Sequence, residues 1–206
     1  MKIAVIGATG MVGSRVVAEA VRRGHDVIAV FRSDISSTPE GTRAVQGDAT
    51  DRDLMDDLLS EVDAVVAATR PRPGEEATVR PTKTMLDAAL ATRTRILVVG
   101  GAAPLRSPGE GLVLDDSRYV PTDIRPIAAA SVRQFEVCRS HAADWVYLSP
   151  PALLEPGERT GSYRRGQDEL LIDPSGASRI SAEDLAVAVL DELTTPSADR
   201  HFTVAY

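Results

Sequence analysis

Short apolar runs alternate along this chain with stretches whose apolar residues recur every three or four positions. The first run, residues 2–6 (Lys-Ile-Ala-Val-Ile), has the continuity of a parallel strand covered on both faces. A helical pattern follows through Val16, Val17, Ala20 and Val21. It stops at Arg22-Arg23-Gly24, basic in the last turn with a glycine after it. Strands are predicted over 27–31, 43–46, 63–67, 95–99 and 145–148, with helices over 51–59, 78–91 and about 127–141 among them. A last helix, 182–193, starts from Ser181 with Asp184 close to a capping box, and Phe202-Thr203-Val204 closes as a strand. This alternation predicts an α/β fold, a doubly wound parallel sheet of Rossmann type with right-handed crossovers.

Two stretches break the rhythm. Residues 100–126 are rich in Gly, Pro and Asp, and residues 149–176 are richer still in Pro and Gly. Both follow strands, which places them at the carboxyl edge of the sheet, where open α/β sheets bind ligands. Loops of this length in a compact domain are usually functional or mobile. The 206 residues fit one domain, 1–206, with 149–181 forming most of a small carboxyl-terminal substrate lobe.

The first strand and helix are joined by Gly7-x-x-Gly10-x-x-Gly13. In that context Gly7 permits the sharp turn, Gly10 lets backbone N–H groups approach a pyrophosphate, and Gly13 lets helix pack closely on strand. Gly7, Thr9, Gly10, Met11 and Val12 are the candidate pyrophosphate residues, aided by the partial positive charge of the helix amino terminus. An acid near the end of the second strand would select NAD by accepting from the ribose 2′-hydroxyl. Here the position reads Phe31-Arg32-Ser33. Arg32 offers a planar fork for a 2′-phosphate and Ser33 a second donor, which favours NADP(H), with NAD(H) possible. Arg15 could assist, and Asp34, two residues on, is the counter-indication. After the fourth strand, Ala68, Thr69 and Arg70 would pass over the cofactor's phosphates and ribose. Arg70 is either a pyrophosphate or substrate contact or an ordinary loop arginine.

Charge narrows the partners. There are 23 Lys and Arg against 30 Asp and Glu, a net of -7, and the cations are scattered arginines apart from Lys2 and Lys83. That balance lacks the footprint of a nucleic-acid binder. Apolar content of 43% supports a packed core. No window approaches the roughly 20 apolar residues of a membrane span. The chain enters a strand at once with no visible signal peptide, so a cytoplasmic protein with no membrane partner is expected, a monomer or weak homodimer. The lone Cys138 excludes an internal disulfide or multi-cysteine zinc site, and His25, His141 and His201 lack metal-ligand spacing, so no metal is expected.

The glycine spacing, with Ala8-Thr9 between the first two glycines, resembles the short-chain dehydrogenases. That resemblance implies that Asp48, in Gly47-Asp48-Ala49 after the third strand, hydrogen-bonds the adenine; the alternative is an aspartate that caps a helix or holds a turn. Most members protonate a substrate carbonyl oxygen through Tyr-x-x-x-Lys. No such motif exists here: Asp123, Pro151 and Gln167 stand four residues after Tyr119, Tyr147 and Tyr163, and Tyr206 is the last residue. Aligning Glu136 with the family's helix glutamate leaves Ala128 and Val132 at the tyrosine and lysine positions. Gly100-Gly101-Ala102-Ala103 replaces the serine expected after the fifth strand. No catalytic acid or base is assigned.

The last third sharpens the likeness. Asp144-Trp145-Val146-Tyr147-Leu148-Ser149-Pro150-Pro151, Pro156-Gly157-Glu158-Arg159-Thr160-Gly161-Ser162-Tyr163 and Ser178-Arg179-Ile180-Ser181-x-x-Asp184-Leu185-Ala186 resemble the NAD(P)H-binding atypical short-chain dehydrogenases. Within them the chain is similar to the NADH-flavin reductases, and more distantly to biliverdin-IXβ reductase and the NmrA group. The resemblance implies that Pro150 and Pro151 border the nicotinamide as a flat floor. It also implies that Arg159 or Tyr163 meets an acidic or aromatic substrate, unless both only tie down their loop. Ala152 stands where biliverdin-IXβ reductase has a histidine, which speaks against tetrapyrrole reduction.

A missing proton donor is itself informative. Reducing an isolated ketone creates an alkoxide that needs a proton at once, whereas a reduced flavin or quinone carries delocalised charge. Such acceptors need only be stacked and oriented. The expected function is therefore an NAD(P)H-dependent oxidoreductase passing hydride from NADPH to a planar acceptor, flavin or quinone. The alternative is a non-catalytic NADP(H)-sensing protein of NmrA type. Epimerase or dehydratase chemistry fails on the absent Tyr-x-x-x-Lys.

Overall fold

The computed structural model describes residues 1–32, 40–70, 75–109 and 111–206. Five strands, β1 (Lys2–Ile6), β2 (Asp26–Phe31), β3 (Thr42–Gln46), β4 (Ala64–Ala67) and β5 (Arg95–Val99), are joined in parallel by β6 (Trp145–Ser149) and β10 (His201–Ala205). The sheet order is β3-β2-β1-β4-β5-β6-β10, and β8 (Arg164–Gly166) pairs antiparallel to β10 at one edge. This is the doubly wound sheet that the alternating pattern predicts. Side chains alternate faithfully between its faces. Ile3, Val5, Val27, Val66, Leu97 and Leu148 turn to one layer, and Ala4, Ile6, Ile28, Val65, Ile96 and Tyr147 to the other. Helices α1 (Met11–Arg22) and α5 (Ala182–Thr194) cover the first face, and α2 (Arg52–Ser60), α3 (Glu75–Thr92) and α4 (Arg125–Arg139) the second.

Local chemistry sets the helix ends. Asp51 caps α2 by accepting from the Leu54 N–H, and Ser181 caps α5 by accepting from that of Asp184. Pro126 sits in the first turn of α4, where its missing N–H costs nothing. Helices α3 and α4 begin earlier than the apolar pattern indicates, because their first turns are solvated and carry no periodic signal. Two three-residue strands, β7 (Leu153–Glu155) and β9 (Arg179–Ser181), pair in parallel and tie the chain after β6 to the start of α5. A third apolar cluster of Leu105, Val113, Val120 and Leu170 joins the segment after β5 to the segment after β6. Among the described residues no helix is long and apolar enough to cross a membrane.

Candidate functional site

Strand order reverses around β1, which lies between β2 and β4. The carboxyl ends of these strands therefore diverge and leave a crevice. A cleft of about 860 Å³ opens there, lined by the ends of β1, β2, β4 and β5, the turn after β3 and the first turns of α1 and α3. Its outer wall is the glycine turn. Gly7 adopts φ +89°, and a Cβ on it would stand 2.6 Å from the Ala68 carbonyl oxygen. A Cβ on Gly13 would stand 2.1 Å from the Gly7 carbonyl oxygen. Both contacts are backbone against backbone, so only glycine brings strand, turn and helix this close. Gly10 is the exposed N-cap of α1 and no side chain caps it; the first turn carries no acid, unlike those of α2 and α5. The first N–H groups of a helix have no partner within the helix. Here they face a cleft that Gly7, Thr9, Gly10, Met11 and Val12 all line. The cradle fits an anion of pyrophosphate size and charge.

Arg32 stands at the end of β2, exposed and lining the cleft, and among the described residues no carboxylate pairs with its guanidinium. Ser33 and Asp34, the sequence's other candidates for the ribose, lie outside the described residues. Arg15 does not join Arg32: it pairs with Glu183 at 2.9 Å, tying α1 to α5. Asp48 lines the cleft too, and its Oδ1 accepts from the Thr50 N–H at 2.9 Å and hydroxyl at 2.8 Å. That Asx turn holds the end of β3 against α2. Ala68, Thr69 and Arg70 follow β4 along the cleft's middle, as the topology predicts.

The inner end is built differently. Val99 ends β5 and Gly100 follows it, Pro81 and Thr78 come from α3, Leu154 from β7, and Gln134 reaches in from α4. None of these side chains ionises. Tyr147 is the nearest phenol, and it is closed off: a Cβ on Gly100 would stand 1.8 Å from its hydroxyl oxygen. Tyr147 is fully buried, and burial pushes its phenol well above the usual range. Gly101 is crowded in turn by Ser131 Oγ, 2.8 Å from an added Cβ. The glycine pair that replaces the expected serine is thus dictated by what packs behind it.

The sequence profile of the NAD(P)H-binding family matches residues 7–196. The chain belongs to this family, the atypical short-chain dehydrogenases/reductases. It is 35% identical to the uncharacterized protein YwnB of Bacillus subtilis over 99% of this chain and 98% of that one. Among solved structures it superposes on a candidate epimerase from Bacteroides thetaiotaomicron with a TM-score of 0.89 at 35% identity, covering 100% of this chain and 96% of the other. It superposes on SP1627 of Streptococcus pneumoniae, a candidate NADH-flavin reductase, with a TM-score of 0.87 at 29% identity, covering 100% and 99%. The chain is an NAD(P)H-binding protein with a reductase-like fold.

For this family member, four sequence candidates do not reach the cleft. Pro150 and Pro151 are buried and are not among the described residues that line it, whereas Leu154 is. Arg159 holds Glu19 through two hydrogen bonds of 2.9 and 3.1 Å. Glu19 lies nine residues beyond Gly10, about 13 Å along α1 at 1.5 Å per residue. Tyr163 donates to Asp191 on α5 at 2.7 Å. The segment from Pro156 to Tyr163 is thereby directed onto the α1–α5 pair, where buried Glu19 gathers Arg22, Arg23 and Arg159. Burial alone would push the Glu19 carboxyl up, but those guanidinium hydrogen bonds hold it far below the usual range. Gln134, Pro81, Thr78 and Leu154 were absent from the sequence candidates. One signal for Gln134 was available: it is the amide in the core-facing series Ala130, Gln134, Cys138 of α4.

Proposed function

We propose that this protein is an NADPH-dependent reductase of planar acceptors, flavins or quinones. The observation that carries the reading is the composition of the inner end, where among the described residues no ionisable side chain lines the cleft. Gly7, Thr9, Gly10, Met11 and Val12 hold the pyrophosphate on the uncapped start of α1, with Thr69 and Arg70 beside it. Arg32 meets the 2′-phosphate and Asp48 borders the adenine. When bound, NADPH supplies a hydride to the acceptor ring, and the proton that completes the reduction comes from water. The chain's own part is to exclude solvent and stack two rings, through Val99, Pro81, Leu154 and the half-exposed Met11. Among the described residues an alkoxide-forming ketone would find no acid there to protonate it. The assignment of SP1627 as a candidate NADH-flavin reductase supports the acceptor class.

The test follows NADPH absorbance with purified protein and FMN, riboflavin or a small quinone, with NADH as the paired control. Acceptor-dependent oxidation, faster with NADPH, is expected. Cofactor binding without oxidation of NADPH or NADH by any of these acceptors would overturn the proposal and favour a cofactor sensor. Arg32→Ala should lower kcat/KM for NADPH by roughly 10- to 100-fold, the loss of a charge-assisted hydrogen bond, and leave NADH within about twofold. An unchanged NADPH preference would remove Arg32 from the selection.

A further inference from the structure

Gln134 lines the inner end of the cleft although it is only 1% exposed. An amide there is unusual, because its neighbours Val99, Gly100 and Pro81 offer only apolar or backbone surface. A glutamine amide has two donor hydrogens and two acceptor lone pairs. Its Nε2 lies 3.3 Å from Thr82 Oγ1, and its Oε1 lies 3.3 Å from the Tyr147 hydroxyl. These partners fix the orientation of the amide. Thr82 donates its one hydroxyl proton to the Thr78 carbonyl at 2.8 Å, so it meets Gln134 as an acceptor and the nitrogen must face it. Tyr147 also has a single proton, shared between Oε1 and the Ser131 carbonyl at 3.1 Å. One N–H and at least one oxygen lone pair remain, on a side chain that borders the cleft.

We infer that Gln134 binds the primary carboxamide of the nicotinamide through a pair of amide–amide hydrogen bonds. This rests on the reading of the cleft as a dinucleotide site and deepens it. A primary carboxamide presents one acceptor and one donor edge, the complement of what Gln134 has left. Thr82 on α3 and Tyr147 on β6 hold the amide from behind, so little rotamer freedom is lost when the ligand arrives. The pair fixes the rotation of the ring over Pro81 and Leu154. Residues outside the glycine turn thus distinguish the reactive half of the cofactor from the adenylate half.

The test titrates the full chain with NADP⁺, with 2′,5′-ADP as the adenylate half alone, and with the nicotinic-acid analogue of NADP⁺. That analogue carries a carboxylate, which has no N–H for Oε1. Wild-type protein should bind it about tenfold more weakly than NADP⁺, on the scale of a lost hydrogen bond. Gln134→Leu should bind NADP⁺ about tenfold more weakly, keep its 2′,5′-ADP affinity and no longer separate NADP⁺ from the analogue. Equal binding of the two dinucleotides by wild type, or unchanged NADP⁺ binding by the variant, would overturn the inference. If Gln134→Leu loses 2′,5′-ADP as well, its fold has failed and the wild-type comparison decides alone. Failure of wild type to bind either NADP⁺ or 2′,5′-ADP would overturn the dinucleotide reading itself.

Discussion

Gly13→Ala should abolish dinucleotide binding and destabilise the protein by about 3 kcal/mol, the upper range for overpacking a tight contact. The added methyl would stand 2.1 Å from the Gly7 carbonyl oxygen, 2.8 Å from its carbon and 3.1 Å from Ala8 Cα. None of these atoms can rotate aside. The start of α1 would have to lift from the end of β1, loosening Val16, Val17 and Ala20 from the sheet. The Gly7 carbonyl also accepts from the Gly10 N–H at 3.0 Å, so the turn itself would open. For a chain of this size the melting temperature should fall by roughly 6–12 °C. Gly10→Ala is the paired variant. Its backbone is ordinary, at φ -74°, and its Cβ would approach the Gly7 oxygen only to 3.3 Å. It should melt close to wild type yet bind NADPH more weakly, because its methyl enters the cleft. Thermal melts and NADPH fluorescence titrations of both variants check this. A Gly13→Ala protein with wild-type melting would show that helix and strand do not need their present closeness.

What could be read from the sequence follows the range of the interactions involved. Strands β1, β2, β4, β5 and β6 announce themselves because both faces are buried, and continuous Val, Ile, Leu and Ala runs meet that need locally. Strand β8 does not, because Arg164-Arg165-Gly166 is an exposed edge held by backbone pairing to β10, which leaves no side-chain pattern. The glycine turn was legible for the same reason as the strands: Gly7, Gly10 and Gly13 act on one another across six residues. Arg32 and Arg70 follow from their places after β2 and β4, since a parallel sheet gathers the ends of its strands, whereas Asp48 was indicated by the resemblance to the short-chain dehydrogenases.

The inner end lay beyond such reasoning. Gln134, Pro81 and Leu154 meet there only through the packing of α3, α4 and β7, which no local spacing encodes. Arg159 and Tyr163 illustrate the converse. The family resemblance implied that they meet a substrate or else only tie down their loop, and their partners are Glu19 and Asp191, acids on α1 and α5, as the second reading has it. Glu19 falls beside Val16, Val17 and Ala20 on the core-facing side of α1, and a buried acid requires a cation. That requirement, rather than the loop's composition, indicated where an arginine would go.

The loop that carries Arg159 is also latched to α5 through Asp184, and Asp184→Ala should cost about 2–4 kcal/mol, the range for several donors left without their buried, charged acceptor. Asp184 is fully buried in the first turn of α5. Its carboxylate accepts from the Gly161 N–H at 2.7 Å and from the Thr160 hydroxyl and N–H at 2.5 and 3.2 Å, and the Tyr206 hydroxyl lies 2.8 Å away. Burial alone would push this carboxyl up, but these hydrogen bonds prevail and hold it below its ordinary value of 3.8. A carboxyl lowered on folding contributes stability above its unfolded value and loses it as pH falls through the folded value. The gap between wild type and Asp184→Ala should therefore be full at neutral pH and narrow progressively below pH 3.8. Thr160 and Gly161 are exposed enough to regain water, which keeps the cost below that of a wholly enclosed network. NADPH affinity of the folded variant should match wild type, because the latch clamps the segment after β7 to α5 and none of its residues is among the described residues that line the cleft. Urea titrations across this pH range, with NADPH binding measured at neutral pH, separate the two effects. A gap that does not change with pH would mean that the carboxylate's charge contributes nothing to the latch. Lost affinity in a folded variant would mean that the segment from Pro156 to Tyr163 helps shape the site after all.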